Sequence, residues 1–355
     1  MPGNGSLVLM RRTMVRVWNG EAPLLRALLY PLLVVLAGLY GAALKAREGL
    51  YRKGLLSKER PSIPVISVGN ISLGGTGKTT VAARLSGELR RRGYRPAIIM
   101  RGYGKKRAGT FAVDPGRDSP DVAGDEATML ARRTMLPVIV GKRRGEGIRK
   151  AVREFGVNVA VFDDGYQVRD VEKSVEVLLL NASAHPASMH LFPLGFLREP
   201  FAMAKRADIL LVNKGDLRGK ALALIPEVPA FRVNVRPLHL YNLKRGAIID
   251  YRYLEGKRVL AFSGLGDNAS FFWLLREIGA DVVRAVEFPD HYRYRESDVK
   301  RLESYDDVDV LVTTEKDAVK IDHMDVGESL FYLSIEVQIE DEEKFIDLAL
   351  SKVRA

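Results

Sequence analysis

Along much of the chain, short apolar runs alternate with stretches of helical spacing. The runs fall at 63–68, 96–100, 136–140, 157–162, 175–180 and 208–212. Between them, segments such as 79–92 and 145–155 have helical composition, with Val81, Leu85 and Leu89 four apart in the first. Strands that are apolar throughout are buried on both faces. That predicts an α/β fold, with a mostly parallel sheet and helices on both faces. Ligands of such sheets collect at the carboxyl ends of the strands. Around 231–253 the pattern turns β-rich, with a turn near Arg245-Gly246, and predicts a β-hairpin linker. A second, smaller α/β unit opens at 258–262 and includes 309–313. The expected organisation is a basic N-terminal segment over 1–60, a main α/β domain over 61–230, a linker over 231–257 and a smaller α/β domain over 258–355.

The first run leads into Ser72-Leu73-Gly74-Gly75-Thr76-Gly77-Lys78-Thr79-Thr80, and a helical stretch follows. Strand, glycine loop and helix form the context of a phosphate-binding loop. Glycines let backbone N–H groups converge on phosphate oxygens with no Cβ in the way. Lys78 then reaches the β- and γ-phosphates, and the Thr79 hydroxyl meets Mg²⁺. The usual pattern opens on Gly where this chain has Ser72, but the cradle rests on Gly74, Gly75 and Gly77. A nucleoside triphosphate site is therefore expected over Gly74, Gly75, Thr76, Gly77, Lys78, Thr79 and Thr80.

Three other strand or helix ends carry polar residues. The run 157–162 enters Asp163-Asp164-Gly165, which is either an ordinary turn or, beside a phosphate loop, the second anchor for Mg²⁺. Arg101-Gly102-Tyr103-Gly104 follows another strand and offers a cation and a ring at the same rim, or is a plain loop. Gly124-Asp125-Glu126 precedes a helical stretch, where capping accounts for Asp125 as well as catalysis does. His291, in Phe288-Pro289-Asp290-His291, is one of five histidines, and a lone histidine is usually structural.

Composition narrows the partners. The 355 residues carry a net charge of +11 and no cysteine, which removes disulfides, thiolate metal sites and cysteine nucleophiles. Residues 1–60 hold ten Lys/Arg against three acids, so most of the excess charge precedes the phosphate loop. Within that segment 27–44 is uncharged and apolar all round, about 27 Å long as a helix, with Pro31 near its start. A membrane anchor with basic flanks is the favoured reading. A buried core helix and a cleaved signal peptide are the alternatives. Nucleic acid is disfavoured, since the positive charge surrounds an apolar segment rather than base-stacking aromatics. No obligate protein partner is evident.

Together these motifs resemble the tetraacyldisaccharide 4′-kinases. The resemblance runs through Val68-Gly69-Asn70, the phosphate loop, Arg101-Gly102-Tyr103-Gly104, Gly124-Asp125-Glu126 and Phe162-Asp163-Asp164-Gly165-Tyr166-Gln167. It continues at Leu197-Arg198-Glu199-Pro200, Phe288-Pro289-Asp290-His291 and Thr313-Thr314-Glu315-Lys316-Asp317-Ala318. It implies transfer of the ATP γ-phosphate to the 4′-hydroxyl of a tetraacylated disaccharide 1-phosphate, at the cytoplasmic face of an inner membrane. By the same resemblance, Lys78, Asp125 and His291 are catalytic, with Asp125 the general base paired to His291. Thr79, Asp163, Asp164 and Glu199 surround Mg²⁺, and Asn70, Arg101, Tyr103, Gln167 and Arg198 face the lipid substrate. Val168 stands where the family commonly has His, and 191–196 is a looser version of the family's loop. Both departures bear on sugar contacts rather than on phosphoryl chemistry. The rival reading is a regulatory GTPase or metallochaperone-type switch, on the spelling Asn213-Lys214-Gly215-Asp216; the absence of an Asp-x-x-Gly switch stretch at Asp163-Asp164 opposes it.

Overall fold

The structure is a computed structural model that describes residues 13–18, 20–74, 77–181, 189–213 and 227–354. A short helical stretch over 13–18 precedes a long helix, α1 (Pro23–Arg52). Then β1 (Val65–Asn70), α2 (Lys78–Arg91), β2 (Pro96–Met100), β3 (Phe111–Ala112), α3 (Asp125–Thr134), β4 (Val138–Val140), α4 (Arg144–Phe155) and β5 (Val159–Asp163) follow. Three longer-spaced strands come next: β6 (Val175–Asn181), β7 (Ile209–Asn213) and β8 (Ala230–Asn242). The chain closes with β9 (Ile248–Ile249), β10 (Arg258–Ser263), α5 (Asn268–Glu277), β11 (Asp281–Glu287), α6 (Glu296–Glu303), β12 (Val310–Thr314), α7 (Glu315–Ala318), β13 (Leu330–Ile339) and α8 (Glu342–Arg354). Two compact units gather these elements from separated stretches: 1–78, 164–233 and 339–355 in one, 79–163 and 234–338 in the other.

In the first unit β1, β6, β7 and the start of β8 pair in parallel, with Val68 opposite Val177, Leu178 opposite Leu210 and Leu211 opposite Phe231. Every residue of β1 is buried, as its apolar run requires. Ile71, Tyr166, Leu178, Leu197 and Leu210 form the core beside these strands. One close approach fixes the sequence: a Cβ on Gly69 would stand 2.6 Å from the Tyr166 Cβ and 2.7 Å from its backbone nitrogen. Tyr166 itself is fully buried, and its hydroxyl donates to the Met203 carbonyl at 2.6 Å.

Helix α1 turns a narrow face inward through Leu33, Ala37 and Gly41. Its other apolar residues face outward, with Leu24 87%, Leu28 77% and Leu39 64% exposed. Only 11% of its most apolar stretch is buried, which is not how a core helix is covered. The helix begins at Pro23, so Pro31 stands in its interior rather than near its start. There it cannot donate to the Ala27 carbonyl, and the ring bends or weakens that turn. Side-chain ties fasten the helix to its own unit: Tyr40 Oη donates to the Arg198 carbonyl at 2.8 Å, and Glu48 accepts from Arg169 at 2.6 Å. Trp18, preceding the helix, donates to the Pro193 carbonyl at 2.8 Å.

In the second unit β5, β2 and β4 run parallel, and β3 pairs antiparallel at the edge of β4. Alternation sorts their side chains. Ile98, Met100, Val138 and Val140 pack with Ala83 of α2 and Ala127, Leu130 and Ala131 of α3. On the opposite face Ile99 and Ile139 approach α4, where a Cβ on Gly147 would stand 2.9 Å from Ile99 Cγ2. Both faces are thus covered, as the uninterrupted apolar runs predict. The later strands repeat the pattern in parallel order β11, β10, β12, β13. Ala261 and Val312 face α5 through Phe271 and Leu275, while Leu260 and Leu311 face α6 through Val299 and Leu302. The expected hairpin is present: Leu240 pairs with Ile249, and Gly246 takes the turn at φ +66°.

Gly69→Ala should destabilise the fold by about 1–3 kcal/mol through overpacking against Tyr166. The check is a urea unfolding curve, in which an unchanged midpoint would contradict the close approach.

Candidate active site

The phosphate loop follows β1 and opens α2. Gly74 and Gly77 take φ of +106° and +86°, a region open to glycine and strained for other residues. Gly75 and Thr76 lie outside the described residues, as do Lys214, Gly215 and Asp216 of the rival guanine motif. In the first unit Lys78 Nζ stands 3.5 Å from Asp164 Oδ1. Arg198 Nη1 donates to both oxygens of Asp164, at 3.2 and 3.0 Å, and reaches Gln167 Oε1 at 3.4 Å. Gln167 Nε2 in turn donates to the Asn70 carbonyl at 2.8 Å. Four of the sequence-predicted residues, Lys78, Asp164, Arg198 and Gln167, therefore form one polar chain that closes on Asn70 at the end of β1. Burial pushes the Asp164 carboxyl up, but Lys78 and Arg198 outweigh it and hold the group below its ordinary value.

Glu199 is almost completely buried, and its carboxylate faces two guanidinium groups, Arg206 at 2.8 Å and Arg47 of α1 at 3.8 Å. Its Oε1 accepts no hydrogen bond among the described residues. Sequence reasoning did not single out Arg206, which also stacks over the Tyr166 ring at 4.5 Å.

In the second unit the Thr79 hydroxyl donates to Asp163 Oδ2 at 2.9 Å. Asp163 is the last residue of β5, and β2 runs parallel beside it. Thr80 follows in α2 and is partly exposed. Beyond β2, Arg101 is exposed and Tyr103 is 64% exposed, with its ring 4.6 Å from the His291 ring. Gly124 takes φ +96°, and a Cβ there would stand 2.5 Å from the Tyr103 carbonyl oxygen. That close approach puts the first residue of α3, Asp125, beside the Tyr103 loop. Among the described residues no group of three or more His, Cys, Asp or Glu side chains forms a ready-made metal cage.

Asp125 and His291 are 166 positions apart in the sequence and touch: His291 Nδ1 stands 2.8 Å from Asp125 Oδ2 and 3.1 Å from Oδ1. The sequence expectation drew them from two domains that must approach each other, whereas both lie in one compact unit. His291 takes φ +59°, a left-handed conformation that costs a non-glycine residue on the order of 1–2 kcal/mol. Such strain persists where the surroundings over-determine it, and here the Asp125 contact and the Tyr103 ring do so. Lys316, at the start of α7, completes the cluster with Nζ 3.1 Å from Glu126, 3.2 Å from Asp290 and 3.9 Å from Asp125. Burial raises the Asp125 carboxyl, but the His291 hydrogen bond and the charges of Lys316, His291 and Lys320 prevail and bring it to about 2. Burial works against the Lys316 charge, yet Glu126, Asp125 and Asp290 keep it firmly protonated.

The profile of the tetraacyldisaccharide-1-P 4′-kinases (LpxK) matches residues 29–354. The chain belongs to this family. A tetraacyldisaccharide 4′-kinase of Syntrophus aciditrophicus is 33% identical over 96% of this chain and 97% of its own length. One from Halorhodospira halophila is 37% identical over 86% and 88%. Among solved structures, the LpxK of Aquifex aeolicus crystallised in complex with ATP is similar at a TM-score of 0.75 and 31% identity. That match covers 93% of this chain and all of the other.

The Asp125 carboxyl is lower in the folded than in the unfolded chain, so its stabilisation is complete above the unfolded value near 3.8 and disappears as pH falls through about 2. Wild-type protein should therefore lose its advantage over Asp125→Asn, about 2 kcal/mol by the size of the shift, between pH 4 and 2. Paired urea titrations across that range test this, and a pH-independent difference would contradict it.

Proposed function

We infer that this chain transfers the γ-phosphate of ATP to the 4′-hydroxyl of a tetraacylated disaccharide 1-phosphate, a step in lipid A biosynthesis. The observation that carries the reading is the contact between Asp125 and His291, close to the loops that follow β2, in a chain whose family names the acceptor. Phosphoryl transfer through a loose transition state asks mainly for positioning and charge stabilisation. Lys78, with the backbone of Gly74, Gly75, Thr76 and Gly77 and the side chains of Thr79 and Thr80, takes the triphosphate. Asp164 and Arg198 hold Lys78 in place through the 3.5 and 3.0 Å contacts.

The donor set fits Mg²⁺. The hydroxyl of Thr79 and the carboxylate of Asp163 already converge to 2.9 Å, and hard oxygen ligands of this kind suit that ion. Bound there, Mg²⁺ supplies charge neutralisation on the phosphates. Asp164 and Glu199, the other two Mg²⁺ residues that the family resemblance implies, share their oxygens with Lys78, Arg198, Arg206 and Arg47.

At the acceptor side Asp125 takes the proton of the sugar hydroxyl, with His291 orienting the carboxylate and keeping it ionised. A carboxylate held near 2 is a weak base, but it is always in the acceptor state at neutral pH. Tyr103 and Arg101, open at the rim, meet the sugar and its phosphate; Asn70, Gln167 and Arg198 are the further substrate contacts that the family resemblance implies. The exposed apolar residues of α1 and the cations flanking it dock the chain on the anionic cytoplasmic face of the inner membrane. Each apolar side chain buried is worth ~1.5–3 kcal/mol and each surface cation ~1 kcal/mol.

The direct test supplies γ-labelled ATP with lipid disaccharide monophosphate or with no lipid. Label on the lipid is expected; free phosphate released with a strong GTP preference would refute the reading. Lys78→Ala should abolish transfer. Asp125→Ala should lower kcat by ~10²–10⁴ while ATP binding, followed by calorimetry, survives. Leu28→Asn, Leu32→Asn and Leu39→Asn together should release the protein from anionic vesicles in a flotation assay, and unchanged flotation would remove α1 as the docking surface.

A further inference from the structure

Among the charged groups around Asp125 and His291, Lys316 is the cation nearest to Asp125 apart from His291, and the phosphoryl-transfer reading leaves it without a task. It is well buried, with 13% of its side chain exposed, and three carboxylates from two elements converge on it. Asp125 and Glu126 belong to the first turn of α3, and Asp290 immediately precedes His291. Its ammonium thus holds both halves of the couple at once. It lies 3.9 Å from the carboxylate of one and 3.2 Å from the residue that delivers the other. His291 Nε2 also faces Asp290 Oδ1 at 3.7 Å, so the same aspartate lies between the lysine and the imidazole.

Local chemistry explains why a lysine stands there. Thr314 ends β12 and caps α7, accepting from the Asp317 N–H at 3.1 Å. Asp317 is fully buried and fixed in turn by the Gly264 N–H at 2.9 Å and by Lys320 at 2.6 Å. The first turn of α7 is therefore rigid, and Lys316 leaves it from a fixed base. Backbone strain at His291 needs such a partner, since a left-handed histidine relaxes unless neighbours hold it.

We propose that Lys316 is a positioning residue for phosphoryl transfer, clamping the Asp125 end of α3 to the strained His291 loop so that the couple meets the acceptor hydroxyl in one geometry. The proposal rests on the base role of Asp125 given above. The groups facing Asp125 are His291, Lys316 and, farther off, Lys320. Those facing Lys316 are Glu126, Asp125 and Asp290.

The test compares Lys316→Met, which keeps the length and loses the charge, with Lys316→Arg, which keeps the charge, each alone and on the Asp125→Asn background. Lys316→Met should lower kcat ~10–100-fold with ATP affinity within about twofold of wild type. It should also move the acid limb of the kcat–pH profile upward, and Lys316→Arg should recover part of both. On the Asp125→Asn background the lysine change should cost nothing further. If Lys316→Met keeps wild-type kcat and pH profile, or if its loss adds in full to that of Asp125→Asn, the clamp is refuted. If Asp125→Asn alone retains full activity, the base reading fails instead. Should Lys316→Met not fold by circular dichroism, the charge-balanced pair Glu126→Gln, Lys316→Met is measured in its place, with the same expectations.

Discussion

In a parallel strand the backbone groups are spent on neighbours to left and right, and the chain leaves the sheet at its carboxyl end with a side chain free to turn toward solvent or ligand. The chemistry of this protein depends on that constraint. β1 ends at Asn70 and β5 at Asp163, while β2 gives way to Arg101 and Tyr103 and β12 to the Thr314–Lys316 turn. Strands that are apolar along their whole length supply no polar group of their own. The polar side chains of the candidate site stand where the apolar runs stop.

That logic made a large part of the molecule readable from the amino acids. The run 96–100 is the strand found, and the phosphate-loop helix starts one residue before its expected first position. Positions set by neighbours in the sequence, such as Thr79 after the glycines, were equally accessible. The contact between Asp125 and His291 was not, because nothing local in a capping aspartate or a lone histidine points to a distant partner. Only the family resemblance joined them across 166 positions. Lys316 stands at a strand end like Asp163, but within its motif nothing marks it for a task. Its three carboxylate partners lie 26 to 191 positions away, so its burial and its charge partners emerge only in three dimensions.

The order of segments was the least legible feature. Runs of strand and helix suggest consecutive blocks, but compactness is decided by which faces need covering. α8, the last helix, lies against β1 and β6, and its Lys352 reaches Asp208, which precedes β7, at 2.7 Å. Hydrophobic patterning states that a face must be buried; it does not state by which later segment.

Helix α1 carries one more consequence. Its outward side is greasy, but the inward side is wired: Tyr40 grips the backbone of Arg198, and Arg47 approaches Glu199 next door. Arg198 is the same residue that braces Asp164 opposite Lys78. Whatever tilts or withdraws the helix therefore tugs on the brace of the phosphate-loop lysine. A version trimmed of this helix would lose both ties and would be an altered catalyst.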